Sequence, residues 1–449
     1  MFLGFLKSKR SLLPLVLLFL IVGLGAAVYE WNRPQIYPGI FNNMILFDNF
    51  AVAFSVLSLL SALLIIPLTS PWIKNNDAHT GEYYALFLFS MVGAMMMVSF
   101  QNMLMLFIGI EILSIAMYIL AGSDKDNVRS NEAGLKYFLM GCFATGILLF
   151  GIALIYGASG SFFITDIAIA ANTLDAGGSV LMSIGILMLL AGLAFKLGAA
   201  PFHFWTPDVY DGSPTIFTTF MATVVKVAGI GAFLRMFSAA FGDNLGDWQP
   251  ALIGIVLVTL LIGNITAVYQ QSFKRMMAYS SISHAGYLLL ALAAFTANSD
   301  NAIIFYSAAY VVASIAAFAV LMLVSEKRGE NGDHFAAFNG LARTNPFLAF
   351  AMTVAMCSLA GIPLTGGFFG KFMVFVAAID AGYLWLVVIA ILMAAVGFFY
   401  YFRVIIAMYM RDSAGEEIVV PGSYKLVLLI TIVLTFVLGI VPGIAAYWL

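Results

Sequence analysis

The chain has 449 residues, of which 63% are hydrophobic and only 9% charged, with a mean hydropathy of +1.03 and a formal net charge of −2. A soluble domain carries about a quarter charged residues, so too few remain here to wet a surface. With no basic stripe or tail either, soluble enzymes and nucleic-acid binders are excluded, and the reading is an all-α polytopic membrane protein.

The N-terminus, "MFLGFLKSKRSLLPLVLLFLIVGLGAAV", puts basic residues before an apolar run from Ser11 to Val28. A signal peptide has the same order, but this run is long enough to span a bilayer. A retained first helix is expected. At about 20 residues per span, the sequence divides into thirteen segments: 11–29, 47–66, 83–100, 103–122, 133–156, 179–205, 215–237, 248–270, 276–295, 302–325, 346–380, 384–410 and 425–448. The longest polar stretch, about 326–345, reads as a surface loop, and no linker is long enough to hold a soluble domain.

Lysine and arginine placement orients the chain. Lys196, Lys226 and Lys371 fall inside spans, leaving 17 of the 20 basic residues. With the N-terminus cytoplasmic, all but Arg33 and Arg235 lie at or near cytoplasmic ends, and the C-terminus falls on the opposite side.

Four ionisable residues sit near mid-membrane: Glu111 in "LFIGIEILSIAMYIL", Lys196 in "AGLAFKLGAAPFHFW", Lys226 in "FMATVVKVAGIGAF" and Lys371 in "GGFFGKFMVFVAA". At roughly 3 kcal/mol each by insertion scales, all four charged and unpaired would cost on the order of 12 kcal/mol, as much as a whole domain's stability. One reading is helix-to-helix glue, with Glu111 locking one lysine. One acid cannot satisfy three lysines pairwise, so at least one lysine must exchange its proton with its surroundings. That describes a relay.

The sixth and eleventh segments carry "LGAAPFHFWTP" and "GIPLTGG", and each contains a lysine. A proline inside a span leaves carbonyls unpaired, and such backbone is tolerated where it lines a cavity. Both segments are therefore expected to break, with Gly198, Ala199, Ala200 and Pro201 leaving room for water beside Lys196. Breaks five segments apart suggest two five-helix repeats, 83–237 and 248–410, preceded by N-terminal helices in 1–82 and followed by a C-terminal helix in 411–449. His284 lies in "YSSISHAGYLLL", where serines could pass protons with it, and His203 follows the first break. Each is a hydrogen-bonded structural residue or a proton carrier, with His284 the stronger relay candidate. His79 and His334 read as loop residues, and Cys142 and Cys357 as small buried ones. Four scattered histidines do not provide a haem pair, "GGFFGKF" lacks the spacing of a phosphate loop, and no metal or redox centre is expected in this chain.

"GIEILSIAMYIL", "NEAGLKYFLMGCFATGILLFGIALIYGASGS", "FKLGAAPFHFWTPDVYDGSP", "KRMMAYSSISHAGYLL" and "SLAGIPLTGGFFGKF" together closely resemble the antiporter-like subunits of bacterial proton-pumping NADH:quinone oxidoreductase, respiratory complex I. The resemblance spans about residues 45–445, and "TPDVYDGSP" with the lysine of the eleventh segment is most similar to subunit N. It implies inverted five-helix repeats, each with a broken helix, around a hydrophilic axis. It implies fourteen helices in many members against thirteen here, the missing one being the first. On that pattern Glu111 and Lys196 are a coupled pair, Lys226 the central relay lysine and Lys371 the terminal one. NADH, flavin, iron–sulfur clusters and quinone are implied for other subunits of the complex. The partners implied are other membrane-arm subunits, in a bacterial inner membrane. An independent cation/proton antiporter and a membrane-bound hydrogenase subunit share the fold and remain the alternatives.

Overall fold

The computed structural model describes residues 11–32, 40–75, 79–329, 332–412 and 416–444. Lys7, Lys9, Arg10 and Arg33, which entered the orientation count, lie outside the described residues. Twelve helices among them are long and apolar enough to cross a membrane. They are α1 (Leu12–Tyr29), α2 (Asn49–Thr69), α3 (Thr80–Ser99), α4 (Met103–Ala121), α5 (Val128–Ser159), α6 (Ala176–Leu197), with the short α7 (Trp205–Gly212) after it, α8 (Thr215–Ala239), α9 (Leu245–Val268), α10 (Phe273–Ala294) and α11 (Ser299–Arg328). After two 15-residue helices, α12 (Pro346–Ala360) and α13 (Gly366–Asp380), come α14 (Leu384–Met410) and α15 (Gly422–Ile440). The pair α12–α13 takes the place of the eleventh segment, so among the described residues a helix stands in each of the thirteen expected spans; residues 445–448 of the last one lie outside the described residues. The stretch read as a loop at 326–345 is shorter than expected: α11 runs on to Arg328, and single turns form at Phe335–Phe338 and Leu341–Thr344.

Short polar residues start these helices where an apolar chain has nothing else to offer the first N–H groups. Asp48 accepts from Ala51 N at 2.9 Å, Asn102 from Leu104 N at 2.9 Å, and Asp175 from Gly178 N at 2.7 Å. Both interrupted segments end their first half in one way. Gly198 (φ 69°) and Gly361 (φ 87°) adopt the left-handed conformation that glycine takes without strain. The next N–H reaches back five residues, Ala199 to Ala194 O (2.9 Å) and Ile362 to Cys357 O (3.0 Å). Pro201 and Pro363 follow. The sequence reading assigned the first break to Pro201; the glycine three residues earlier begins it.

One packing scheme occurs twice. In α3 to α8 the first helix packs on the second and on the last, the second on the third, and the third on both halves of the broken fourth. The run α9 to α14 repeats every one of these contacts. Even the loops agree. Met103 N bonds Phe162 O (2.9 Å) at the start of α4, and Phe273 N bonds Asp333 O (2.7 Å) at the start of α10.

Burial separates the helices into two kinds. Nearly every residue of α8, α10 and α11 is buried, whereas α1, α5 and α14 expose large apolar side chains such as Phe19, Phe143 and Ile391 along one face. A water-facing surface of that kind would be unstable, so the outer helices suit lipid or apolar neighbours and the three central ones form the axis. Cys142 is exposed on the outer face of α5 and Cys357 is half-buried, which corrects their reading as buried residues.

Candidate functional site

Lys226 sits on the most enclosed helix. The five residues before it, Met221–Val225, form a π-turn within α8. Such a turn inserts one residue into the helical ladder and is found mostly where a side chain must be re-aimed. Lys226 Nζ donates to the Oγ of Ser281 on α10 at 2.5 Å and also to the Ser281 carbonyl oxygen. Tyr310 of α11 donates to the same Oγ at 3.0 Å, and its ring lies 5.4 Å from Lys226 Nζ. Two acceptors and an aromatic face thus hold an amine that no carboxylate neutralises within 4.0 Å among the described residues.

His284, one turn further along α10, is bonded at both ring nitrogens. Nδ1 meets the Tyr306 hydroxyl at 2.6 Å and Nε2 the Tyr401 hydroxyl at 3.0 Å, while Tyr401 shares a 2.5 Å bond with Ser280. A hydroxyl can donate or accept, so this histidine can exchange tautomers without losing a partner. Its ring lies tilted against that of Tyr310, with the centroids 4.9 Å apart. Tyr306 in turn lies edge-on to Tyr287, whose ring is 5.0 Å from Lys371 Nζ. Lys226, His284 and Lys371 therefore lie in one order along a row of buried tyrosines.

Lys371 lies beyond the second break and reaches back over it. Its Nζ donates to Leu359 O (3.0 Å) and Ala360 O (2.8 Å), the last two carbonyls of α12. Those groups have no partner within their own helix, and the negative end of the helix dipole suits a cation.

Lys196 lies in the last turn of α6 and points away from the break. Its Nζ donates to Ser114 Oγ, which donates to Ile110 O. Glu111, Ser114 and Tyr118 share one face of α4 by helical spacing, and Lys196 lies 5.8 Å from the Tyr118 ring. Glu111 makes no ion pair within 4.0 Å among the described residues and its Oε1 is buried without a hydrogen-bond partner there, so Lys196 is held by Ser114 and not by the expected acid. The backbone just after Gly198 packs closely against its neighbours. Ala199 and Ala200 are fully buried, Ala200 N donates to Thr259 Oγ1 on α9 at 2.9 Å, and a Cβ on Gly198 would stand 2.6 Å from Thr206 Oγ1. His203 is buried against Phe204, and its Nδ1 makes no hydrogen bond among the described residues.

Sequence reasoning named the charges and the serines before His284, but missed Ser114 and the tyrosines. Ser114, Ser281, Tyr306, Tyr310 and Tyr401 carry this geometry. One signal was available: Tyr306 and Tyr310 stand four apart mid-span, and a buried tyrosine hydroxyl needs a partner. Among the described residues, no group of three or more His, Cys, Asp or Glu is gathered as a metal site.

The profile of the NADH:quinone oxidoreductase/Mrp antiporter transmembrane family matches residues 101–397. The NADH-quinone oxidoreductase subunit N of Trichlorobacter lovleyi is 42% identical over 442 residues, which is 97% of this chain and 89% of the relative. The chain belongs to the NADH-quinone oxidoreductase subunit N family. The subunit N of Cytophaga hutchinsonii is equally similar, 42% identical over 98% of this chain and 94% of its own length. Among solved structures, a chain of respiratory complex I from Thermus thermophilus superposes with a TM-score of 0.85 at 34% identity, covering 99% of this chain and 95% of that one. A chain of an archaeal membrane-bound sulfane sulfur reductase reaches 0.89 at 26% identity, over 100% and 92%. Membership in the subunit N family accounts for the antiporter-like helical fold.

Proposed function

We propose that this chain is a proton-translocating membrane-arm subunit of an NADH:quinone oxidoreductase, moving protons along Glu111, Lys196, Lys226, His284 and Lys371. The observation that carries the reading is Lys226, fully enclosed and held only by the hydroxyl and carbonyl of Ser281 and the ring of Tyr310. A buried lysine without an acid beside it is poised to give up its proton, and the row through His284 offers a way on. Strong kinship to subunit N supports the same reading.

In this reading a change in a neighbouring subunit alters the field between Glu111 and Lys196. Ser114 passes that change on, Lys226 takes up or releases a proton, and the proton leaves by way of His284 and Lys371. His203, with no bond into the row, stays outside it. NADH, flavin, iron–sulfur clusters and quinone work in other subunits. The five-helix runs 83–237 and 248–410 are the two inverted repeats, in keeping with their recurring packing scheme. The chain sits in the bacterial inner membrane with its N-terminus cytoplasmic and its C-terminus opposite, following the lysine and arginine bias.

The test is Lys226→Ala in the complete complex, reconstituted in vesicles. Proton yield per NADH should collapse while the complex stays assembled. Lys226→Arg should not restore it, because arginine does not deprotonate. Normal gradients at normal NADH oxidation would remove Lys226 from the path. Purification of the chain without any NADH-oxidising assembly would instead favour an independent antiporter.

A further inference from the structure

The short helix α7 has two faces with different duties. On one, Asp208 accepts from Lys136 Nζ of α5 at 2.8 Å and from Arg275 Nη1 of α10 at 2.9 Å. The C-terminal end of α7 is tied as well, since Lys274 Nζ donates to Asp211 O at 3.1 Å and to Ser213 O. On the other face the Tyr210 hydroxyl lies 3.4 Å from Ser281 Oγ, the atom that holds Lys226.

These facts fit together mechanically. Two helical turns do not hold their own shape in isolation, so the position of α7 depends on what grips it. Lys136, Asp208 and Arg275 are each 33–41% exposed, and ion pairs at that exposure are individually weak and easily exchanged. The Tyr210–Ser281 contact is also the longest link to Ser281 Oγ, so a small shift of α7 makes or breaks it.

We propose that Asp208 is a positioning residue: by gripping Lys136 and Arg275 it seats α7 so that the Tyr210 hydroxyl meets Ser281 and controls the supply of protons to Lys226. The inference rests on Lys226 being a proton carrier. In the transfer step the Tyr210 O–H proton passes to Ser281 Oγ as the Ser281 proton passes to the neutral Lys226 amine. A hydronium ion that reaches the buried Tyr210 oxygen as α7 shifts returns its proton and leaves as water. One proton moves in total, and every hydroxyl ends as it began.

The experiment compares Tyr210→Phe, Asp208→Asn, Asp208→Glu and Lys226→Ala in the intact complex in vesicles, reading protons moved per NADH oxidised. Tyr210→Phe keeps the ring and its packing, and should lose at least half of what Lys226→Ala loses. Asp208→Asn should match it and Asp208→Glu should restore most of the yield, which a merely structural role would not require. The double variant Asp208→Asn/Tyr210→Phe should be no worse than either single one, since both act on one contact. If Asp208→Asn fails to assemble, the isosteric Tyr210→Phe decides alone. Wild-type yield in Tyr210→Phe, or strictly additive losses in the double variant, overturns the proposal while Lys226→Ala still fails to pump. A normal yield in Lys226→Ala overturns the underlying reading instead.

Discussion

The two broken helices stop alike and are closed differently. Each first half ends on a left-handed glycine, Gly198 or Gly361, and each leaves carbonyls facing a gap. At the gap after α6 a neutral donor, the Trp205 indole N–H, reinforces Phe195 O at 3.0 Å, a carbonyl that Gly198 N already reaches. After α12 the gap is closed by Lys371, on Leu359 O and Ala360 O. The difference decides what each lysine is free to do. Lys196, relieved of the helix end, reaches across to Ser114 and the face of α4 that carries Glu111. Lys371 holds the break together, and in the proposed relay it handles a proton with the same amine.

If that contrast is right, Lys371→Ala has the largest effect of any substitution at either break. It should cost proton yield about tenfold or more, the scale of losing a proton-transfer group. It should also destabilise the chain, because two buried carbonyls lose their donor at about 1–3 kcal/mol each. Proton yield per NADH and the thermal melting of the purified complex measure the two losses separately. An unchanged melting temperature would show that Lys371 does not close the break.

Lys196→Ala should break the symmetry. Proton yield falls about as far, but Ser114 keeps its bond to Ile110 O and the α6 end keeps Trp205, so stability should change by no more than about 1 kcal/mol. Equal melting losses in Lys196→Ala and Lys371→Ala would erase the distinction between the two sites.

How much of this was legible in the sequence follows the same physics. Spans, breaks and mid-membrane charges were readable, because lipid penalises each departure from an apolar helix and the departures therefore stand out. Ser114 was not, since a serine in a helix satisfies itself on a carbonyl one turn back and signals nothing about its neighbours; the serines of "YSSISH", Ser281 among them, stood out only through His284. The π-turn before Lys226 has no compositional mark in "MATVV". The pairing of Glu111 with Lys196 was drawn from charge alone; which side chain faces which is set by helix rotation, and rotation gave Lys196 Ser114 as its partner on α4.

Glu111→Gln tests that pairing and should have a smaller effect than Lys196→Ala. Glu111 and Lys196 make no ion pair within 4.0 Å among the described residues, so in the proposed relay the loss of the carboxylate removes a bias on the carrier and leaves the carrier in place. Proton yield should fall a few-fold. Combined with Lys196→Ala the loss should be clearly less than additive, as for two groups in one unit. Additive losses in a double-mutant cycle on proton yield would mean that Glu111 acts elsewhere.

The smallest effect belongs to the neutral closer. Trp205→Phe removes the indole donor to Phe195 O, while an aromatic ring can still face Tyr137, which now stacks on the indole at 4.6 Å. The lost hydrogen bond and the smaller ring should together cost about 1–2 kcal/mol of stability. Proton yield should stay within about twofold of wild type, a change of only a few tenths of a kcal/mol in the barrier, because no proton is carried by the indole. Melting and proton yield measured on one preparation decide the matter. A large drop in yield from Trp205→Phe would mean that the first break, like the second, is closed by a group the transfer itself needs. Lys196 would then owe its freedom to something other than the tryptophan.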